Sequence, residues 1–474
     1  MTAILGGGIS GLSAAYYCLE NSKIGSVALY ESSKHLGGWI KSITTPSGVI
    51  FEKGPRTIRL GNKAAQNTLM LIEKLNLNSK IIPIKWNHPA YSNRLIYANE
   101  TLHVLPNNVT NLFKIQEPFN RRLISIAWNE VRVPKEINED ESIYSFTERR
   151  LGKDVADFLI SPLISGICAG NAKEISVKFL MKNGFEYEQK YGSITKGIVL
   201  NLMRHLLSNF KTNSHKEKEL TTDLINRAKV EKWFAWGLHG GLEQLPIALK
   251  NNLNSNSNIK IYKNTPCEQL TFKPGVAELL TNGKVEKYCK VISSISAKSL
   301  APLLEKQHPQ LAQEIKTIPF VTVAVVNLRY SENILPLEAF GLLVPPNENL
   351  PILGIVFDSS IFKKDSSTVL TVMMGGVWFD KYFGDNPTNE HFLSTAVNQT
   401  KSILNMKKDP VEYDVTVLKD CIPQYVVGHY QKVQRIQNYI SAHKIPLALC
   451  GSSFDGIGLN DVILSAKKAV SHIA

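Results

Sequence analysis

The stretch Thr2-Ala3-Ile4-Leu5-Gly6-Gly7-Gly8-Ile9-Ser10-Gly11-Leu12-Ser13-Ala14-Ala15-Tyr16-Tyr17-Cys18-Leu19 decides the fold. Its first four residues read as a short buried strand, its glycines as a loop and Leu12 to Leu19 as a helix. Gly6, Gly8 and Gly11 match G-x-G-x-x-G: the first glycine makes the tight turn, the second lets backbone approach a pyrophosphate, and the third lets helix pack on strand. The pyrophosphate would sit at the helix N-terminus, where unpaired N–H groups and the dipole favour an anion. Val27-Ala28-Leu29-Tyr30 reads as a second strand ending in Glu31, twenty residues after Gly11. A carboxylate there accepts hydrogen bonds from an adenosine ribose and disfavours a 2′-phosphate. Strand, loop, helix, strand and acid in register outweigh the alternative, a glycine-rich turn before an unrelated helix.

Outward from this unit, Leu36-Gly37-Gly38-Trp39 adds a second glycine pair, a strand pair is expected around Ile40 to Phe51, and Gly54-Pro55-Arg56 follows. Much further on come Gly240-Gly241-Leu242-Glu243-Gln244-Leu245-Pro246, a strand-like Ile259 to Tyr262, and Thr265-Pro266-Cys267. Leu447 to Cys450 reads as a strand, Gly451 to Asp461 as a glycine-rich loop and Val462 to Ile473 as a helix. This ordered set resembles the flavin monoamine oxidase superfamily, which implies FAD as cofactor. The resemblance implies FAD contacts at Gly6, Gly7, Gly8, Ile9, Ser10, Gly11, Glu31, Ser32, Trp39, Gly54, Pro55, Arg56, Thr57, Pro266, Ser452, Ile457, Gly458 and Leu459. A helix N-terminus at the last of these has a use. Reduction places negative charge at the N1/O2 edge of an isoalloxazine, and oriented N–H groups stabilise it.

Other segments are not shared dinucleotide-fold features: Ile58-Arg59, His88-Pro89, Asn93-Arg94, Arg149-Arg150-Leu151-Gly152, Ala169-Gly170-Asn171, Val323 to Leu328, Leu353-Gly354-Ile355-Val356 and Cys421-Ile422-Pro423-Gln424-Tyr425. With the N-terminal motifs they resemble, along nearly the whole chain, the family of oxygen-dependent protoporphyrinogen oxidases of mitochondrial type. What that implies is FAD-dependent oxidation of protoporphyrinogen IX to protoporphyrin IX, three O2 being reduced to three H2O2, the penultimate step of haem biosynthesis. It also implies peripheral, monotopic attachment to the mitochondrial inner membrane from the intermembrane-space side, a homodimer, and contact with ferrochelatase. Two other readings are an oxidase of amines or polyenes, and a prenyl-protein escort that uses the same fold without flavin. The intact Gly6/Gly8/Gly11 and Glu31 argue against the escort, and the last two segments quoted against the other oxidases.

On the substrate side, apolar stretches at 158–170, 320–328, 340–344 and 353–357 are separated by polar turns and suit a hydrophobic slot for a flat dicarboxylate. Arg94 lies among weakly polar neighbours, and a guanidinium matches a carboxylate bidentately. By resemblance Arg94 meets a propionate, the Gly166 carbonyl faces pyrrole N–H groups, and Leu163, Phe340, Leu343, Val356 and Met373 line the pocket. Without the family, these five would be assigned to the core. No catalytic base is assigned, because no Ser/His/Asp or paired-carboxylate constellation stands out.

The expected fold is α/β: a split Rossmann-like FAD-binding domain (1–90, 236–300 and 430–474), a helical membrane-associated lobe (91–215) and a sheet-based substrate-binding domain (301–429). Asn254 to Ser257 is expected as a turn and Lys211 to Leu220 as a polar loop. With 43% hydrophobic and 20% charged residues among 474, the composition excludes a disordered or collagen-like chain. Lys and Arg number 54 against 41 Asp and Glu, a net charge of +13 that suits an anionic partner. No helix-turn-helix cue, zinc-finger spacing or RNP-like motif points to nucleic acid. From 178 to 232 there are 11 basic and 6 acidic residues, net +5, in keeping with attraction to anionic lipid. The six cysteines are far apart, include no C-x-x-C, and read as buried thiols, with no metal site. No stretch reaches the length of a membrane span. Because the glycine motif starts so early, no secretory signal is expected.

Overall fold

Three remote pieces of chain build one parallel sheet in the computed structural model, which describes residues 1–211, 222–363 and 365–473. Thr2–Leu5 lies at its centre, between Val27–Tyr30 and Lys290–Ser293, with Ile259–Tyr262 and Leu447–Leu449 outside them. Every residue of the central strand is buried, as a sheet covered on both faces requires. Alternate side chains part to the two faces. Ile4, Leu29 and Ile292 pack under the helices Ile9–Leu19 and Leu459–Ile473. Ala3, Leu5, Ala28 and Val291 pack under a three-stranded meander (269–288) and the helices Ala297–Glu305 and Pro309–Lys316.

A second, seven-stranded sheet runs in the order Glu412–Pro423, Phe320–Tyr330, Thr368–Gly376, Ile352–Val356, Gly341–Leu343, Leu95–Ala98, Thr101–Val104. One face presents Ala324, Val326, Leu342, Ile355, Val372 and Met374 to the helix Asn389–Leu404, through Phe392 and Ala396. Register places Val325, Asn327, Leu343, Gly354, Val356, Thr371 and Met373 on the opposite face. A third, smaller sheet joins Ile58–Arg59, Trp233–Leu238 and Ile81–Lys85. Residues 95–104, placed by sequence in the helical lobe, thus form the last two strands of the seven-stranded sheet, Thr101–Val104 being its edge. Their period-two pattern was hidden by a stretch only four residues long on each side of the turn.

The helical lobe packs Ile143–Leu151, Ser161–Cys168 and Lys182–Tyr191 around Phe146, Ile164, Val177 and Phe185. Its buried polar centre is Glu130. The carboxylate accepts from Ser193 Oγ (2.7 Å), Ile194 N (2.9 Å), Thr195 N (3.0 Å) and Arg150 Nε (2.9 Å). Burial works against the charge, but these bonds win and hold its pKa down to about 2. Glu130 so caps the helix Ile194–Lys211, while Arg149 pairs with Glu141 and Glu188. No helix among the described residues is long and apolar enough to cross a membrane. The turn at Asn254 to Ser257 forms where Gln244–Asn254 ends, whereas the polar loop from Lys211 to Leu220 lies, beyond Lys211, outside the described residues. Cys18, Cys168, Cys421 and Cys450 are buried thiols, but Cys267, just before the meander, is half-buried against the edge of the core, and Cys289, just after it, is exposed.

Candidate active site

At the glycine loop a Cβ on Gly11 would stand 1.8 Å from Gly6 O, so helix and turn approach more closely than any side chain allows. Gly6 has φ +98°, in the region that favours glycine. The helix after Gly8 has no side-chain cap, which leaves the first N–H groups for an anion. Glu31 closes the loop: Oε2 accepts from Gly7 N (2.7 Å) and Oε1 from Ser33 N (2.8 Å). A carboxylate has about four lone-pair positions, so capacity remains for a ribose. Thr265 N donates to Glu31 O (2.9 Å), which brings Pro266 beside the acid, and Ser32 is exposed next to it.

The second glycine pair lies backbone to backbone with the first. Gly37 N donates to Gly7 O (2.8 Å), and a Cβ on Gly38 would be 3.2 Å from Gly8 Cα. A Cβ on Gly54 would meet Trp39 O at 2.2 Å, so Trp39, itself exposed, and Pro55 lie on adjoining turns. Thr57 is half-buried beyond them. Arg56 is buried with Nε 3.0 Å from Asp358 Oδ1, while its Nη2 has no protein partner among the described residues. At the other end, Gly451 abuts Ser10, and the loop presents Ser452, Ile457, Gly458 and Leu459 half-buried. Tyr425 braces that loop, its hydroxyl donating to Ser452 O (2.7 Å) and accepting from Gly456 N (2.7 Å). Asp461, in the first turn of the C-terminal helix, accepts from Gly458 N; burial and then the charge of Asp455 push its pKa up. The N–H groups at that helix end are therefore shared with a carboxyl rather than wholly free, contrary to the simple dipole picture.

The pocket candidates gather on the face of the seven-stranded sheet opposite the helix Asn389–Leu404. Leu343 stands opposite Gly354, Gly354 opposite Met373, and Val356 opposite Thr371. Leu343, Val356, Met373, Phe340 and Leu163 are all half-exposed, whereas their neighbours Leu342, Ile355, Val372 and Met374 are buried. Side chains assigned to a core by sequence pattern alone are therefore partly exposed. The helix Ser161–Cys168 leans on this face at Leu343: a Cβ on Gly166 would lie 2.4 Å from Leu343 Cδ2. Gly166 occupies the helix's last turn, where carbonyls lack a donor four residues on, and Gly170 N is turned instead to the Cys168 sulfur. Its carbonyl is thereby available to a ligand N–H. Arg94 stands at one side, 5.1 Å from the Tyr91 ring centroid and 5.3 Å from that of Phe234, with Phe340 N donating to Asn93 O (3.1 Å).

Sequence reasoning left out the polar chain that joins the two halves. Asn327 Nδ2 donates to Glu52 O (3.2 Å), and Thr371 Oγ1 lies 2.8 Å from Asn327 Oδ1 and 2.6 Å from Asp358 Oδ2, which in turn leads to Arg56. Glu52 accepts from Leu242 N (2.7 Å) and Ser42 Oγ (2.6 Å); burial pushes its carboxyl up to about 7, against those bonds. An amide inside the apolar run Val323 to Leu328 was the signal available, since a buried amide needs partners.

A close glycine cradle, an uncapped helix start, a ribose-side acid and a buried arginine nitrogen without a protein partner fit a flavin dinucleotide. The chain belongs to the flavin containing amine oxidoreductase family, whose model matches residues 9–474. It is an oxidoreductase with FAD as cofactor. Among characterised relatives, it is 36% identical to protoporphyrinogen oxidase of Homo sapiens over 99% of this chain and 97% of that one. It is 32% identical to protoporphyrinogen oxidase of Schizosaccharomyces pombe, over 100% and 98%. Cyclohexylamine oxidase from Brevibacterium oxydans shares the fold, with a TM-score of 0.68 at 13% identity over 100% of this chain and 98% of that one.

Proposed function

We propose that the protein oxidises protoporphyrinogen IX to protoporphyrin IX. The observation that carries this is the set of half-exposed apolar side chains Leu343, Val356, Met373 and Leu163, flanked by one carbonyl at Gly166 and one guanidinium at Arg94. Such a face suits a flat apolar ring with N–H groups at its centre and carboxylates at its edge. FAD, when bound, supplies the hydride acceptor and returns the electrons to O2, so three rounds remove six hydrogens and give three H2O2. The chain's own part is to hold the tetrapyrrole against that acceptor and to exclude water. The Gly166 carbonyl fixes the ring centre, Arg94 fixes the edge, and the aliphatic face desolvates the reacting carbon.

The helical lobe rests on the mitochondrial inner membrane as a peripheral element. Ile198, Val199, Leu202, Met203 and Leu206 of Ile194–Lys211 are exposed, as are Ile124 and Trp128 of the adjoining helix Leu123–Glu130, and Arg204 and Lys196 lie among them. An apolar surface with basic residues and no span suits an interfacial helix on anionic lipid. A homodimer and a contact with ferrochelatase complete the proposed partners.

The decisive assay follows porphyrin fluorescence formed aerobically from protoporphyrinogen IX, with peroxide measured in parallel. Rapid fluorescence gain with three peroxides per porphyrin is expected. Flavin-loaded protein that leaves protoporphyrinogen no faster than buffer would refute the substrate. Sedimentation with vesicles carrying anionic lipid tests the membrane surface; equal recovery with neutral vesicles and with none would remove it.

A further inference from the structure

Two arginines meet at one ring beside the substrate face, and neither has an acid. The Arg59 Cζ lies 5.6 Å from the Phe234 centroid, where Arg94 also stands at 5.3 Å. The enclosed arginines are matched, Arg56 by Asp358, Arg149 by Glu141 and Glu188, Arg150 by Glu130 and Arg329 by Glu412, whereas Arg59 and Arg94 keep an exposed surface that a ligand can reach. Neither Arg59 nor Arg94 has a carboxylate within ion-pair distance among the described residues. Crowding by the surrounding protein, and then the charge of Arg94, depress the pKa of Arg59, although part of its surface stays exposed. Two like charges beside one ring repel, and an anion held between them relieves that repulsion.

The backbone fixes both positions. Ile58–Arg59 pairs with Ala235 and Trp236, and Arg59 O accepts from Asn460 Nδ2 (2.8 Å), the residue after Leu459 of the flavin loop. Asn93 is tied to Phe340 on the pocket's rim. Arg59 thus hangs between the flavin loop and the corner held by Arg94. A guanidinium over an aromatic ring keeps its fork free for a carboxylate, because stacking uses its face and hydrogen bonding its edge.

We propose that Arg59 is a second carboxylate-binding residue, so that Arg59 and Arg94 together receive the two carboxylates on neighbouring pyrroles of the tetrapyrrole. The identity of the ligand rests on the function proposed above; the two-guanidinium corner rests on the geometry. It would set specificity by charge at one edge of the ligand, while the sheet face accepts the ring.

The test measures binding of protoporphyrin IX and of its dimethyl ester to the FAD-loaded protein, by fluorescence quenching. Wild type should prefer the diacid. Arg59→Gln should weaken the diacid about 10-fold or more, the loss of a charge-assisted bond, and change the ester less than about 2-fold, with flavin content unchanged. Unaltered diacid binding, or an equal loss for diacid and ester, overturns the proposal. A shift in flavin potential with intact diacid binding also overturns it, by assigning Arg59 to the cofactor. If Arg59→Gln loses flavin, Arg59→Lys keeps the charge and stem and should still weaken the diacid several-fold but not the ester; equal affinity would overturn the claim. Wild-type protein that fails to oxidise protoporphyrinogen counts against the function, whereas turnover by wild type with full diacid binding by Arg59→Gln counts against this inference alone.

Discussion

Arg149-Arg150 and Arg59/Arg94 are two pairs of arginines with opposite surroundings. In the helical lobe, Arg150 gives Nε to Glu130 (2.9 Å) and Nη1 to the carbonyls of Val133 (2.9 Å) and Pro134 (3.2 Å), while Arg149 is shared among Glu136, Glu141 and Glu188. At Phe234 the two guanidiniums have aromatic rings and each other. The first pair is complete in the free protein, so removing one partner strands a buried charge and destabilises the fold. The second is incomplete without a ligand, so its worth is realised on binding.

The largest effect that tests this contrast is Arg150→Ala. Removing one partner from a buried, hydrogen-bonded pair strands the Glu130 charge and should cost about 3–5 kcal/mol in a urea or thermal unfolding measurement. A loss below about 1 kcal/mol would show that the lobe does not depend on the pair. Arg94→Ala should leave unfolding nearly unchanged and retain FAD, yet raise the KM for protoporphyrinogen about 10-fold or more, as loss of one charge-assisted bond predicts. Flavin loss instead would mean that Arg94 belongs to the cofactor half.

Acid should separate the regions further. Glu130 has a folded pKa of about 2 against an ordinary 4.5, so the stability it contributes is present above about pH 4.5 and lost as pH falls towards 2. A stability profile over that window should flatten in Glu130→Gln, measured at equal ionic strength; an unchanged slope would detach Glu130 from acid unfolding. The smallest expected effect is at Arg435, whose exposed pairing with Glu314 (3.0 Å) should be lost in Arg435→Ala without a resolvable change in unfolding midpoint. A clear destabilisation there would undo the distinction between enclosed and solvated arginines.

Much of the cofactor half was legible because its requirements are local. Gly6 must adopt positive φ, Gly11 must carry no Cβ, and both facts are encoded by residue type alone. The strands Val27–Tyr30 and Ile259–Tyr262 fall where their apolar runs place them. The substrate side was less legible. Val323 to Leu328 reads as apolar but for Asn327, yet its alternate residues serve a face packed on Phe392 and the opposite face that carries Met373, and no period in one strand tells which is which. The segment 95–104 read as part of a helical lobe because only its pairing with Leu342 and Leu343 makes it sheet. Tyr425 stood out as a motif, but its task of tying Ser452 to Gly456 joins residues across the chain.

The sequence by itself determined the dinucleotide loop, the ribose-side acid and the strand that carries them, because backbone geometry and burial at those sites depend on neighbours a few residues away. Tertiary structure alone decided which apolar residues open onto the substrate face and which arginines lack acids. Both are properties of what the rest of the chain brings near: Leu343 stays half-exposed because the residue that meets it is Gly166, which has no side chain, and Arg59 stays unmatched because Arg94, rather than a carboxylate, is folded against the same ring.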